Sequence, residues 1–247
     1  MSRAKKREEM LDLIKRNIEL HGFHVYIVVG KSLPRFAYTI GLRESWGAEL
    51  ILAGAIYYTA DAVHRILNTI GQRLGADKAS DATFVVDDLG SFRLRKAHAS
   101  WTSPLLLGAL DYYKVKEVEA YQIVPDDDHW TIDIPNLSEE WSAKREPVWK
   151  WLHEAWEYAV APDSTATTNL DALRGVRITE VMRWDDGWEM FAGHGPDVSV
   201  EDARVVPIAS LLASDPSLKP AVDLKVGKGM WREREENGWH PWATRAN

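Results

Sequence analysis

Gly30-Lys31-Ser32 follows the apolar run Phe23–Val29 in the way a phosphate-binding loop would. Such a loop needs a glycine five positions earlier and a helix N-terminus just after it, because its backbone N–H groups wrap the phosphates. The earlier position is Val25, and Leu33-Pro34 leads into another strand-like run, so the tripeptide reads as a plain loop. His153-Glu154-Ala155-Trp156-Glu157 is half of a helical zinc motif, with Glu157 where the second histidine would stand, and reads as the polar face of a helix. Asp126-Asp127-Asp128-His129, with Asp133 beyond, offers oxygen ligands but lacks the alternating spacing and central glycine of a calcium loop. It reads as a solvated turn closing a strand. With no cysteine and no Gly-x-Ser-x-Gly elbow, nucleophilic catalysis has no obvious carrier, and no catalytic residue, cofactor or metal is assigned.

Two residue groups remain. Tyr38 and Thr39 put polar groups in the otherwise apolar run 36–42, and with Glu49 and His98 they would form an enzyme cleft if the fold brought them together. The tryptophans, twelve in all, are the second group. Trp149, Leu152, Trp156 and Ala159 fall at helical spacing, the mark of a core stripe. Trp184 and Trp188 instead bracket Asp185-Asp186-Gly187, a tight-turn signal, while Trp239 and Trp242 bracket His240-Pro241. Tryptophan is enriched among the residues that dominate protein interfaces, so Trp184, Asp185, Asp186, Trp188, Trp239, His240 and Trp242 are the candidate partner contacts, with packing of a small domain as the competing explanation.

The elements that must position these groups are mixed. Helical spacing predicts a helix over 5–21, stopped by Gly22, and another over 59–74. Strands are expected at 23–29, 35–42 and 49–53, as a short pair around Asp87–Gly90, and at 120–124; helices are expected near 105–113 and over 139–160, the latter restarting at Pro147. The irregular mixture predicts an α+β fold. Residues 161–175 have few large apolar side chains and many turn-formers, the composition of a linker between a 1–160 domain and a smaller β-rich domain at 176–247. There, 176–184 and 188–192 form the expected hairpin, followed by Val205–Ile208, a polar Pro-containing stretch, Gly229–Glu235 and a second turn signal at Asn237-Gly238.

The 247 residues carry 30 basic and 37 acidic side chains, a net charge of −7, which disfavours a nucleic-acid binder. Residues 1–160 hold 20 basic and 23 acidic residues and 161–247 hold 10 and 14, so neither part is a basic arm. No apolar run approaches a membrane span, the basic start leads into no signal core, and a cytoplasmic location is expected.

His21-Gly-Phe-His-Val25, Phe36-Ala-Tyr-Thr-Ile-Gly-Leu42, Ala48-Glu-Leu-Ile-Leu-Ala-Gly54 and Ala120-Tyr-Gln-Ile-Val124 together resemble the bacterial domain-of-unknown-function family four-two-six-two, over about residues 8–135. The sequence has Gly47-Ala48 where His-Pro usually precedes Glu-Leu in that family. Trp184-Asp-Asp-Gly-Trp-Glu-Met-Phe-Ala-Gly193, Val205-Val-Pro-Ile208, Asp215-Pro-Ser-Leu218 and Gly229-Met-Trp-Arg-Glu233 resemble family two-one-eight-five, which is grouped with immunity protein thirty-three. That second resemblance implies a non-enzymatic immunity or antitoxin-type protein that binds a toxin or effector. An acidic surface would speed its encounter with a basic partner.

Overall fold

The computed structural model describes residues 3–77 and 83–242. Helices and strands mix in an α+β fold with two compact units, each built on a six-stranded sheet. The first unit gathers the described residues of Met1–Val28, Arg35–His129 and Asn136–Trp141; the second gathers those of Val29–Pro34, Trp130–Pro135 and Ser142–Asn247.

In the first unit α1 (Arg3–His21) precedes β1 (His24–Val28), and Gly22 ends the helix at φ +84°, its N–H donating to the carbonyl of Ile18. Then come β2 (Phe36–Ile40), α2 (Leu42–Trp46), β3 (Glu49–Ala53), α3 (Ala60–Asp77), β4 (Phe84–Val86), β5 (Gly90–Lys96), α4 (Ala99–Leu105), α5 (Leu107–Tyr113) and β6 (Ala120–Pro125). The sheet order is β1-β2-β3-β6-β5-β4, antiparallel except for the parallel β3–β6 pair. Every residue of β2 and β3 is buried, as in strands covered on both faces. Helix α3 packs on β1, β2 and β3 with Val63, Ile66, Leu67 and Ile70 buried, and α5 packs on β2. The helix expected near 105–113 is α5, and a further helix, α4, precedes it, the two divided at Leu106, whose φ of −93° and ψ of 35° leave the helical region.

The second unit holds β7 (Thr165–Asn169), α6 (Leu170–Leu173), β8 (Glu180–Arg183), β9 (Trp188–Phe191), β10 (Ala203–Pro207), α7 (Ile208–Ser214), β11 (Gly229–Trp231) and β12 (His240–Pro241). Its order is β10-β7-β9-β8-β11-β12, with only β7–β9 parallel. Its core includes α7 together with the 3₁₀ segments Pro147–Leu152 and Pro216–Asp223.

Two expectations are corrected here. Residues 139–160 are not a long helix: beyond the six-residue 3₁₀ segment that Pro147 opens, the chain turns back and Trp156 packs on Trp151 and Tyr158 at ring separations of 4.9 and 5.1 Å. Trp149 is core, as its spacing implied, but its indole N–H reaches the Asp133 carbonyl and no helical stripe exists. Residues 161–175 are not a linker, since they supply β7, hydrogen-bonded to β10 on one side and β9 on the other. The two buried polar side chains of this interior strand are both satisfied. Thr168 Oγ1 donates to the Met190 carbonyl at 2.6 Å, and Asn169 Nδ2 to that of Ala192 at 2.9 Å.

Candidate functional site

The β8–β9 hairpin builds the groove that carries two of the candidate tryptophans. Arg183 pairs with Trp188 and the Trp184 N–H donates to the Gly187 carbonyl at 2.8 Å, so the loop proper is Asp185-Asp186. Gly187 follows the turn. It is needed because a Cβ there would lie 2.8 Å from the Thr165 carbonyl oxygen, where β7 passes.

In this register Glu180 stands opposite Phe191 and Met182 opposite Glu189, which puts these four side chains and Trp184 on one face of the sheet. Val181, Met190 and Trp188 take the other, buried face. Trp242 joins the first group from beyond β12: its N–H donates to the Gly229 carbonyl, and its ring lies where a Cβ on Gly229 would be, 2.3 Å from that position. Val198 and Val200, from the chain before β10, and Ala203 complete the wall. The result is an open groove of about 540 Å³ whose lining is mostly apolar and contains, among the described residues, two carboxylates, Glu180 and Glu189, and no basic side chain. Its volume is that of a ligand site.

The seven candidate contacts divide accordingly. Trp184 and Trp242 line the groove and remain 45% and 42% exposed. Asp185 and Asp186 are exposed at the hairpin tip, and His240 is exposed on β12 outside the groove lining, with Nε2 3.0 Å from Glu236 and its ring tilted over Trp231. Trp188 is no surface contact: it is 5% exposed, donates its indole N–H to the Ala221 carbonyl at 3.0 Å and carries the Arg183 guanidinium over its ring at 4.6 Å. Trp239 is half-buried and structural, donating to the Ser217 carbonyl with Arg232 stacked 4.1 Å from its centroid. That arginine is itself buried, binding Asp215, Ser217 and the Ile178 carbonyl. Burial works against ionising Asp215, but hydrogen bonds from Ser217 and Arg232 outweigh it and hold the carboxyl below the usual range. Glu180, Met182, Glu189 and Phe191 were not among the expected contacts; their signal is the alternation that continues inward from Trp184 along both strands.

In the first unit Thr39 and Glu49 do meet. Thr39 Oγ1 donates to Glu49 Oε2 at 2.6 Å, while Oε1 accepts from the Gly41 N–H at 3.0 Å, the Arg43 N–H at 3.3 Å and the Tyr113 hydroxyl. Burial pushes the Glu49 carboxyl up to about 7, a rise that the bonds from Thr39, Tyr113 and the two backbone groups limit. Tyr38 is engaged elsewhere, its hydroxyl accepting the Gly108 N–H at 3.0 Å. His98 caps α4, Nδ1 accepting the Ser100 N–H, and lines a different cleft that includes none of Tyr38, Thr39 and Glu49. The expected quartet is therefore not one cleft. The acidic run closes β6: Asp126 accepts from the N–H and hydroxyl of Ser91 and pairs with Nδ1 of His129. Among the described residues no three His, Asp or Glu side chains gather as metal ligands, and no helix is long and apolar enough to cross a membrane.

Residues 17–130 match the model of the family described as domain of unknown function (DUF4262). This match takes in all four sequence blocks of the first unit that resemble that family and stops short of the groove. No curated protein and no solved structure matches the chain.

Proposed function

We propose that the chain is a non-enzymatic bacterial protein-interaction protein of the immunity or antitoxin type, acting in the cytoplasm by binding and neutralising a protein partner such as a toxin or effector. The observation that carries this reading is the open groove of the second unit, with two half-exposed tryptophans fixed on sheet backbone. A solvent-facing apolar surface holding aromatic anchors is what interfaces use, because large rigid rings bury much area at little entropic cost. The resemblance of residues 184–233 to immunity-protein-thirty-three-like domains supports the same reading. Glu49 gives the enzyme alternative little support, since all its bonds brace the surrounding backbone and hydroxyls.

The test is capture of partners from the native cell, identification by mass spectrometry and titration of the purified candidate. Trp184→Ala and Trp242→Ala are expected to weaken binding more than tenfold each, about 1.4 kcal/mol or more. The expected partner is one whose toxicity co-expression of this chain relieves. A genuine partner that binds both variants as tightly as the unaltered chain would place the interface elsewhere.

A further inference from the structure

We infer that the groove of the second unit takes a basic side chain, arginine or lysine, of a partner protein, with Glu189 as its counter-ion and Trp184 and Trp242 flanking its stem and head. This rests on the interaction reading above and assigns that surface its chemistry.

Charge complementarity inside an apolar wall carries this assignment. Among the described residues, two carboxylates and no basic group line the groove. Glu180 is already committed, Oε2 accepting the Gly195 N–H at 2.8 Å and Oε1 lying 3.1 Å from Nδ1 of His194. The side chain of Glu189, one strand away on the same face, makes no hydrogen bond or ion pair with any described residue. A cation entering the groove would meet this carboxylate against mostly apolar walls, where their attraction is screened less than in open water. The aromatic walls suit the same ligand, because ring faces attract cations and accept the aliphatic stem of arginine or lysine. The same unit already makes this contact, with Lys150 over Trp151, Arg183 over Trp188 and Arg232 over Trp239. Trp242 cannot fold away freely, since its ring occupies the space that Gly229 leaves and its backbone is bonded to that glycine.

The test titrates the full chain with acetyl-Gly-Arg-Gly-amide and with its citrulline counterpart, which keeps the shape and loses the charge. The indole N–H signals of Trp184 and Trp242 are followed by NMR. The arginine peptide is expected to shift both signals, and the citrulline peptide or the Glu189→Gln variant to weaken binding about tenfold, the loss of one charge-assisted contact. Equal binding of the two peptides, indifference to Glu189→Gln in a variant of unchanged circular dichroism, or no shift up to the solubility limit would each overturn the inference. If Glu189→Gln does not fold, the two peptides on the unaltered chain decide. A protein partner that loses affinity on Trp184→Ala and Trp242→Ala but not on Glu189→Gln would sink this inference and leave the proposed function standing.

Discussion

Glu49 is a carboxyl group held by four donors in a place where water does not reach, and the balance between those effects is measurable. Its folded pKa of about 7 lies above the ordinary 4.5, so the folded chain holds a proton that the unfolded chain has released between those values. Stability contributed by this group is therefore present below about pH 4.5, falls as pH rises toward 7 and is level above it, a loss of roughly 3 kcal/mol for a difference of this size. Chemical denaturation across that range is expected to show the decline in the unaltered chain and its disappearance in Glu49→Gln; parallel profiles would mean that the carboxyl titrates normally. The two hairpin tryptophans allow a second residue-scale prediction. Trp188→Ala removes a buried ring and leaves Arg183 without its platform, so a loss of about 3–5 kcal/mol is expected, whereas Trp184→Ala, on the open face, is expected to cost less than about 1 kcal/mol. Denaturation midpoints of the two variants check this. The difference between the two rings was partly legible in the sequence: across a two-residue loop, positions four apart fall on opposite faces of a hairpin, so at most one of the pair could face solvent freely. What could not be read was the direction, because that depends on which face α7 and Pro216–Asp223 cover.

At the scale of elements, β-branched and aromatic runs and glycine stops located α1, β1, β2, β3, α3 and the β8–β9 hairpin, because in each the local preference and the burial pattern agree. Strand β7 escaped for the opposite reason. Thr-Ala-Thr-Thr-Asn has the composition of a loop, and only its neighbours β9 and β10 supply the carbonyls and N–H groups that make it a strand. The candidate groove was legible to the extent of Trp184 and Trp242, whereas Glu180 and Glu189 gain meaning only through strand register. One close approach between elements yields a third prediction. The α5–β2 packing requires Gly108, since a Cβ there would fall 2.5 Å from the Tyr38 hydroxyl oxygen. Gly108→Ala is expected to destabilise the chain by about 1–3 kcal/mol through overpacking. The double variant Gly108→Ala/Tyr38→Phe should be more stable than the sum of the single effects predicts, because removing the hydroxyl makes room for the methyl group. Additive losses in denaturant titrations would show that the helix yields instead.

For the molecule as a whole, two sheets mean two cores, and the question is which residues each core needs. The composition of residues 161–175 suggests a cut there, yet the second unit reaches back to Ser142 and takes in Trp130–Pro135 as well. The physical reason lies in Pro147–Leu152, whose Val148, Trp149 and Trp151 are buried and which packs on α7, while the Trp149 indole is tied to the Asp133 carbonyl. Losing two buried tryptophans at about 3–5 kcal/mol each would remove most of the 5–15 kcal/mol that stabilises a typical domain. A fragment of residues 161–247 is accordingly expected to lack near-ultraviolet circular dichroism and a cooperative thermal transition, although it carries the whole hairpin and groove. A fragment of residues 130–247, which omits only Val29–Pro34 from that unit, is expected to show both. The same comparison bears on the groove, because a wall made of Trp184 and Trp242 is preorganised only if the opposite face of its sheet is filled. Should the shorter fragment unfold cooperatively and bind as the longer one does, the core would end at β7, and Pro147–Leu152 would be dispensable to it.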